Sequence, residues 1–169
     1  DLTIRPDFSQ VESDAAQISA NERFALFVPE KRPFFLEGTD LFQTPIQAVY
    51  TRTVTTPSFG GRATGKAKGI RYTALVVQDD GGGSVILPGP TGSSFAPQDF
   101  ASTVLVARAK REIGRSFVSL LVTDREGRDT SSHNRVVGPD FQWRPTAREA
   151  VTGQWLVSDT KTPNRPDLA

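Results

Sequence analysis

The sequence predicts an all-β protein of antiparallel, up-and-down strands. Three observations carry this expectation. From about residue 47 onward apolar residues recur at every second position, not every third or fourth. The 14 glycines and 12 prolines punctuate those runs, and hydrophobic residues make up 37% of the 169, which favours many turns and short strands over a helical core. The chain accordingly divides into an irregular segment, 1–46, and a strand region, 47–169.

Taken in order, residues 61–69 alternate strictly. Arg62, Thr64, Lys66 and Lys68 point one way, and Gly61, Ala63, Gly65, Ala67 and Gly69 the other. Lys68-Gly69 suits a tight hairpin turn into residues 70–78, where Tyr72, Ala74 and Val76 oppose Arg71, Thr73 and Leu75. Residues 81–99, rich in Gly, Pro and Ser, are expected to form one long loop, a length that usually accompanies function or mobility. A strand from Phe100 to Ile113 then carries Ala101, Thr103, Leu105, Ala107 and Ala109 on one face. Its other face changes from Val104 and Val106 to Arg108, Lys110 and Glu112 as it emerges. Gly114-Arg115 turns the chain into residues 116–124, with Val118, Leu120 and Val122 on one face. Beyond a second polar loop, 125–133, Val137, Phe141 and Trp143 oppose Asn134, Gly138, Asp140, Gln142 and Arg144. After a short turn at Pro145-Thr146-Ala147, Val151, Gly153, Trp155 and Val157 oppose Thr152, Gln154 and Ser158 in a last strand.

The loops thus alternate long and short, as in up-and-down outer-membrane barrels with strands of about ten residues and aromatics at the interfaces. Tyr72, Phe117, Trp143 and Trp155 are the candidate interfacial aromatics. A soluble β-sandwich satisfies the same alternation, so the strands alone leave both architectures open. Six or seven strands fall short of the eight that close a membrane barrel. A membrane reading therefore makes this chain an incomplete section whose raw edges lipid does not tolerate, expected to aggregate, pair with itself or require further strands.

Charge narrows the function classes. Twenty basic and 19 acidic residues give a net charge of +1, which offers no support for nucleic-acid binding. Locally, Arg52, Arg62, Lys66, Lys68 and Arg71 occur with no intervening acid. Arg62, Lys66, Lys68 and Arg71 make a candidate basic wall of a pore or groove; a solvated strand face is the plainer alternative. The absence of cysteine excludes disulfides and Cys-based zinc sites and suits a cell-envelope protein. No methionine and no signal peptide are present, so a membrane reading makes the chain an internal piece of an exported precursor.

No catalytic constellation emerges, and no cofactor is implied. His133 is the one histidine, lies in a polar loop and has no G-x-S-x-G nucleophile motif to work with. Glu30 with Glu37, or Asp79 with Asp80, would be the nearest pairs for a glycosidase. Ion pairing for the first and a turn for the second are simpler roles. Asp124, Glu126 and Asp129 around Gly127 lack the rest of an EF-hand, and Gly60–Lys66 lacks a phosphate-loop register.

The most distinctive stretch is Pro29, Glu30, Lys31, Arg32, Pro33, Phe34, Phe35, Leu36, Glu37 and Gly38. Two prolines fix φ and remove backbone donors, so these residues should form a rigid, irregular connector. Phe24, Phe27, Phe34, Phe35, Leu36 and Phe42 offer an apolar cluster, while Glu30, Lys31, Arg32 and Glu37 offer charges to strand-borne partners. Residues 15–45 are thus expected to fold inward as a plug or latch, with packing at a barrel rim as the alternative.

Together with Pro6–Asp14 (PDFSQVESD) and Tyr50-Thr51-Arg52, the stretch from Phe27 to Gly38 resembles a bacterial outer-membrane family. Its pattern is NPDFSQVEAD, some ten residues, FFPEKRPFFLEG, then a strand with YSRR. Lipopolysaccharide-export barrels carry a related PERRPFF. Members of the first family join an amino-terminal module like carbohydrate-binding family nine to a long β-barrel domain of unknown function. The resemblance covers residues 1 to about 55. It implies an incomplete section of an outer-membrane β-barrel, preceded by an irregular, short-helical, plug-like segment. It further implies a non-catalytic role in handling or transporting a ligand, such as a carbohydrate, at the cell surface. Implied partners are outer-membrane lipid, the remaining barrel strands and the carbohydrate-binding-like module, with no nucleic acid. Two alternatives stand beside it: part of a carbohydrate-active hydrolase, and a soluble β-rich binding module.

Overall fold

The computed structural model describes residues 1–6, 30–82, 84–89, 92–128 and 131–161. Asp7–Asp14 of the first motif block, Phe24, Phe27, Pro29 and Asp129 lie outside these residues, as does all of the predicted plug before Glu30. The strands are β1 (Leu2–Ile4), β2 (Pro57–Ala67), β3 (Ile70–Asp79), β4 (Ser84–Gly89), β5 (Gly92–Pro97), β6 (Ser102–Ile113), β7 (Ser116–Gly127), β8 (His133–Trp143), β9 (Val151–Gln154) and β10 (Val157–Lys161). Helix is confined among the described residues to α1 (Pro33–Leu36) and two 3-10 turns, Thr39–Phe42 and Thr51–Thr53.

Eight strands form one antiparallel sheet in the order β1-β2-β3-β6-β7-β8-β10, with β9 also on β8, while β4 and β5 pair only with each other. The all-β, up-and-down architecture is therefore as expected, and the sheet is open, with β1 at one edge and β9 and β10 at the other. The β2–β3 turn is tight because Lys68 (φ 50°) and Gly69 (φ 79°) both adopt the left-handed conformation that a two-residue hairpin demands.

Several boundaries differ from those expected. The irregular segment contains a strand, β1, and its connector runs on to residue 56, because Thr51–Thr53 coils before β2 begins. Residues 81–99 are not a plain loop but carry the β4–β5 hairpin. The 125–133 loop shrinks, since the β7–β8 ladder runs to Glu126 opposite His133. Loops 128–132 and 144–150 are thus similar in length, and the clean long–short alternation does not hold.

The last predicted strand is split in two, and Pro139 explains the split. Register places Phe141 opposite Gly153 and Val137 opposite Val157, so no residue is inserted between β9 and β10. At the centre, Trp155 N–H donates to Pro139 O at 3.0 Å, but proline has no N–H to return. Half of one ladder pair is lost there. The Trp155 carbonyl also crowds position 138, where a Cβ would stand 1.8 Å from its oxygen, so Gly138 is required.

Connector 30–56 lies across one face of the sheet, hereafter the inner face. The core sits between them: Phe35, Phe42, Val49 and Val54 from the connector meet Leu75, Val77, Val106 and Leu121 from β3, β6 and β7. Leu36 is exposed and does not join this cluster.

Candidate functional site

The two faces of the sheet differ: the inner face is covered by the connector and holds both the apolar core and the buried charges, whereas the outer face exposes a broad apolar surface. Along β7, Leu121 on the inner face is fully buried, whereas Leu120 on the outer face is 48% exposed. The same outer face exposes Leu2 and Ile4 on β1, Tyr72 and Val76 on β3, Val118 on β7 and Val137 and Phe141 on β8. Val151 and Val157 extend it across β9 and β10. Register shows one continuous surface: Ala74, Ala107, Val122, Val137 and Val157 face one another across five strands. It ends in charge, where Arg135 pairs with Asp124 and Glu126, and His133 Nε2 lies 3.0 Å from Asp159 Oδ2. His133 is therefore at a charged margin of the outer face.

The inner face holds the buried charges. Arg108 and Asp140 form an ion pair with side chains 3% and 0% exposed. Arg108 also donates to Ser119 Oγ and, through Nη1, to the carbonyls of Leu41 at 2.7 Å and Gln43 at 2.6 Å. Arg125 donates to Thr53 O and to Asp79 Oδ2, both at 3.2 Å. Arg62 grips Glu37 O, with its guanidinium 5.2 Å from the Phe34 ring centroid. Arg71 reaches Asp40 at 2.8 Å. Arginines from four strands thus hold successive points of the connector, three of them by its backbone carbonyls. A guanidinium suits this task because its planar fork can donate to several acceptors at once.

The connector has its own clasp. Arg32, fully buried, binds Glu30 in bidentate fashion at 2.8 Å and donates to Val54 O at 2.6 Å and Thr51 O at 2.9 Å, with its guanidinium 4.2 Å from the Phe35 ring centroid. Thr51 Oγ1 donates to Glu30 Oε2 at 2.6 Å. The ion pairing within the motif expected of Glu30 is made with Arg32, while the pairing with strand charges is replaced by contacts of these two residues with each other and with the 51–54 segment. Burial alone would raise the Glu30 carboxyl, but hydrogen bonds from Arg32 and Thr51 and the Arg32 charge outweigh it and leave the pKa below the ordinary glutamate value. A folded pKa below the unfolded one stabilises above the unfolded value and ceases to do so as pH falls through the folded value. Glu30→Gln is expected to cost roughly 1.5–3 kcal/mol near neutral pH. In urea unfolding at successive pH values, the gap from wild type should close at acid pH.

Asp79 is a buried hub rather than a turn residue. It accepts from Thr55 and Thr56 N–H, from Gly81 N–H, from Gln98 Nε2 at 2.6 Å and from Arg125. A cavity of about 290 Å³ remains beneath residues 48–54, walled by Leu75, Val104 and Val106 and closed at a polar end by Arg125 and Asn134.

Of the predicted basic wall, Arg62, Lys66 and Arg71 share the inner face, Lys66 directly opposite Arg71, while Lys68 occupies the turn. Arg108 and Arg125 also lie on this face and were not expected there. Of the predicted interfacial aromatics, Tyr72, Trp143 and Trp155 are exposed on the outer face. Phe117 belongs instead to the inner face, one row from Ser119, with Lys110 Nζ 3.9 Å from its ring centroid. Among the described residues no three metal-ligating side chains come together, and no helix is long and apolar enough to cross a membrane, which says nothing of strands.

The fold and site define an open antiparallel sheet with one exposed apolar face and an opposite face strapped by the connector over an apolar core and buried arginines. Compared with family models, residues 1–69, spanning β1, the connector and β2, match a domain of unknown function, DUF5916. No curated protein and no solved structure matches the chain.

Proposed function

We propose that this chain is a non-catalytic section of a bacterial outer-membrane β-barrel that handles or transports a ligand at the cell surface. The observation that carries the proposal is the apolar surface exposed across the width of the sheet, opposite a connector-covered face that holds buried arginine–carboxylate pairs beside the apolar core. Membrane barrels alternate apolar-out and polar-in, because lipid solvates the outside and protein or water the inside. The motif resemblance adds the outer membrane as location and a carbohydrate as the ligand class to test first. Connector 30–56 would then occupy the lumen side as a latch, released when the arginine–carbonyl bonds give way. The two open edges are where neighbouring strands of the intact barrel would pair.

The test is refolding of the full-length protein into detergent micelles, followed by heat-modifiable gel mobility and far-ultraviolet circular dichroism. A β-rich species whose mobility changes on boiling is expected. A β-rich monomer that stays soluble without detergent would replace the barrel with a soluble binding module.

A further inference from the structure

The net charge of +1 conceals a separation along the strands. At the end carrying the β2–β3 and β6–β7 turns and the 144–150 loop, segments 66–71, 110–116 and 144–150 hold eight lysines and arginines against two glutamates. The opposite end carries Asp79, Asp80, Asp124, Glu126 and Asp159 together with Arg125, Arg128, Arg135 and Lys161, and there the charges largely pair with one another. Lys68, Arg111, Arg115 and Arg148 are exposed and, among the described residues, have no carboxylate within ion-pair distance. They lie on turns or, for Arg111, on the outer face, immediately beyond Tyr72 and Trp143 at the margin of the apolar surface.

From this we infer that the basic end of the sheet, with the β2–β3 and β6–β7 turns, docks on the anionic phospholipid headgroups of the adjoining leaflet. The inference rests on the membrane reading above and adds to it an orientation and a lipid class. Aromatic side chains with one polar end favour the headgroup level. Long cationic side chains just beyond them keep their stems on apolar surface and place their charges among phosphates. Each such cation near an anionic surface is worth enough to shift partitioning several-fold, and the effect is screened by salt. Charge complementarity selects this occupant: the excess of cations without a nearby carboxylate is at this end, whereas the charges of the opposite end largely neutralise one another.

The experiment refolds the full-length protein into vesicles of phosphatidylcholine alone or with phosphatidylglycerol, reading the heat-modifiable fraction against lipid concentration. The variant K68Q/R111Q/R115Q/R148Q is compared with R128Q/K161Q, which removes cations at the other end. Wild type and R128Q/K161Q should need about tenfold less lipid when phosphatidylglycerol is present, an advantage lost in high salt and in the quadruple variant. Equal insertion of wild type into both vesicles overturns the inference and leaves the membrane reading standing. Insertion into neither overturns both. If inorganic phosphate at matched ionic strength abolishes the advantage, the cluster takes free phosphate and the headgroup assignment falls.

Discussion

Arg108→Ala is expected to destabilise the protein by about 3–5 kcal/mol, the cost of leaving a fully buried carboxylate without its counter-charge. Asp140 has one hydrogen-bonding partner of opposite charge, and its other oxygen, Oδ2, has no hydrogen bond among the described residues. Removing Arg108 also strips the Leu41 and Gln43 carbonyls of their shared donor, so the connector should loosen as the sheet weakens. Arg108→Lys should recover only part of the loss, because one ammonium cannot span Ser119, Asp140 and both carbonyls. The Arg71–Asp40 pair supplies the contrast. Its side chains are 38% and 63% exposed, and Arg71→Ala should change stability by less than about 1 kcal/mol. Urea unfolding of the refolded full-length protein measures both. Equal effects from the two substitutions would show that the buried pair does not hold the connector.

Leu120→Arg separates lipid from water as the solvent of the outer face. Leu120 sits midway along the apolar stretch of β7, opposite Ala109 and Pro139. In a bilayer an arginine near the midplane costs about 2–4 kcal/mol. At a half-exposed position in water the same change falls within about 0.5 kcal/mol. Its neighbour is the control: Leu121→Ala should cost about 2–5 kcal/mol in either solvent, because Leu121 is buried beneath the connector. A large loss for Leu121→Ala with no loss for Leu120→Arg would place water, not lipid, against the outer face.

Which side each residue faces was legible in the sequence, because strand alternation has a period of two and survives any uncertainty about ends. Gly61, Ala63 and Tyr72 on one side and Arg62, Thr73 and Leu75 on the other follow that pattern throughout. Burial was not legible. Arg108 and Lys110 look in sequence like a strand emerging into solvent, yet Arg108 is buried, because residues 41–43 lie over it and offer their carbonyls. No local pattern reports a cover supplied from more than sixty positions earlier in the chain. Phe117 was named among the interfacial aromatics although the same alternation, with Val118 and Leu120 outward, already placed it inward, and its pairing with Glu112 and Gln142 agrees. The connector's irregular path followed from its prolines, while its ties to the sheet did not, since most are accepted by its own backbone carbonyls, which carry no residue signature. Pro139 was passed over in the sequence, although the break between β9 and β10 falls opposite it.

Trp143 and Trp155, the two tryptophans of the chain, are 57% and 73% exposed on the outer face and so report directly on what that face meets. The decisive measurement is their fluorescence in the full-length protein, with any tryptophans elsewhere replaced, after refolding into vesicles of brominated phospholipid. Blue-shifted emission, strongly quenched relative to unbrominated vesicles, is the predicted result. Red-shifted emission that bromine leaves unchanged would contradict the account, because it would put water against the face assigned here to lipid.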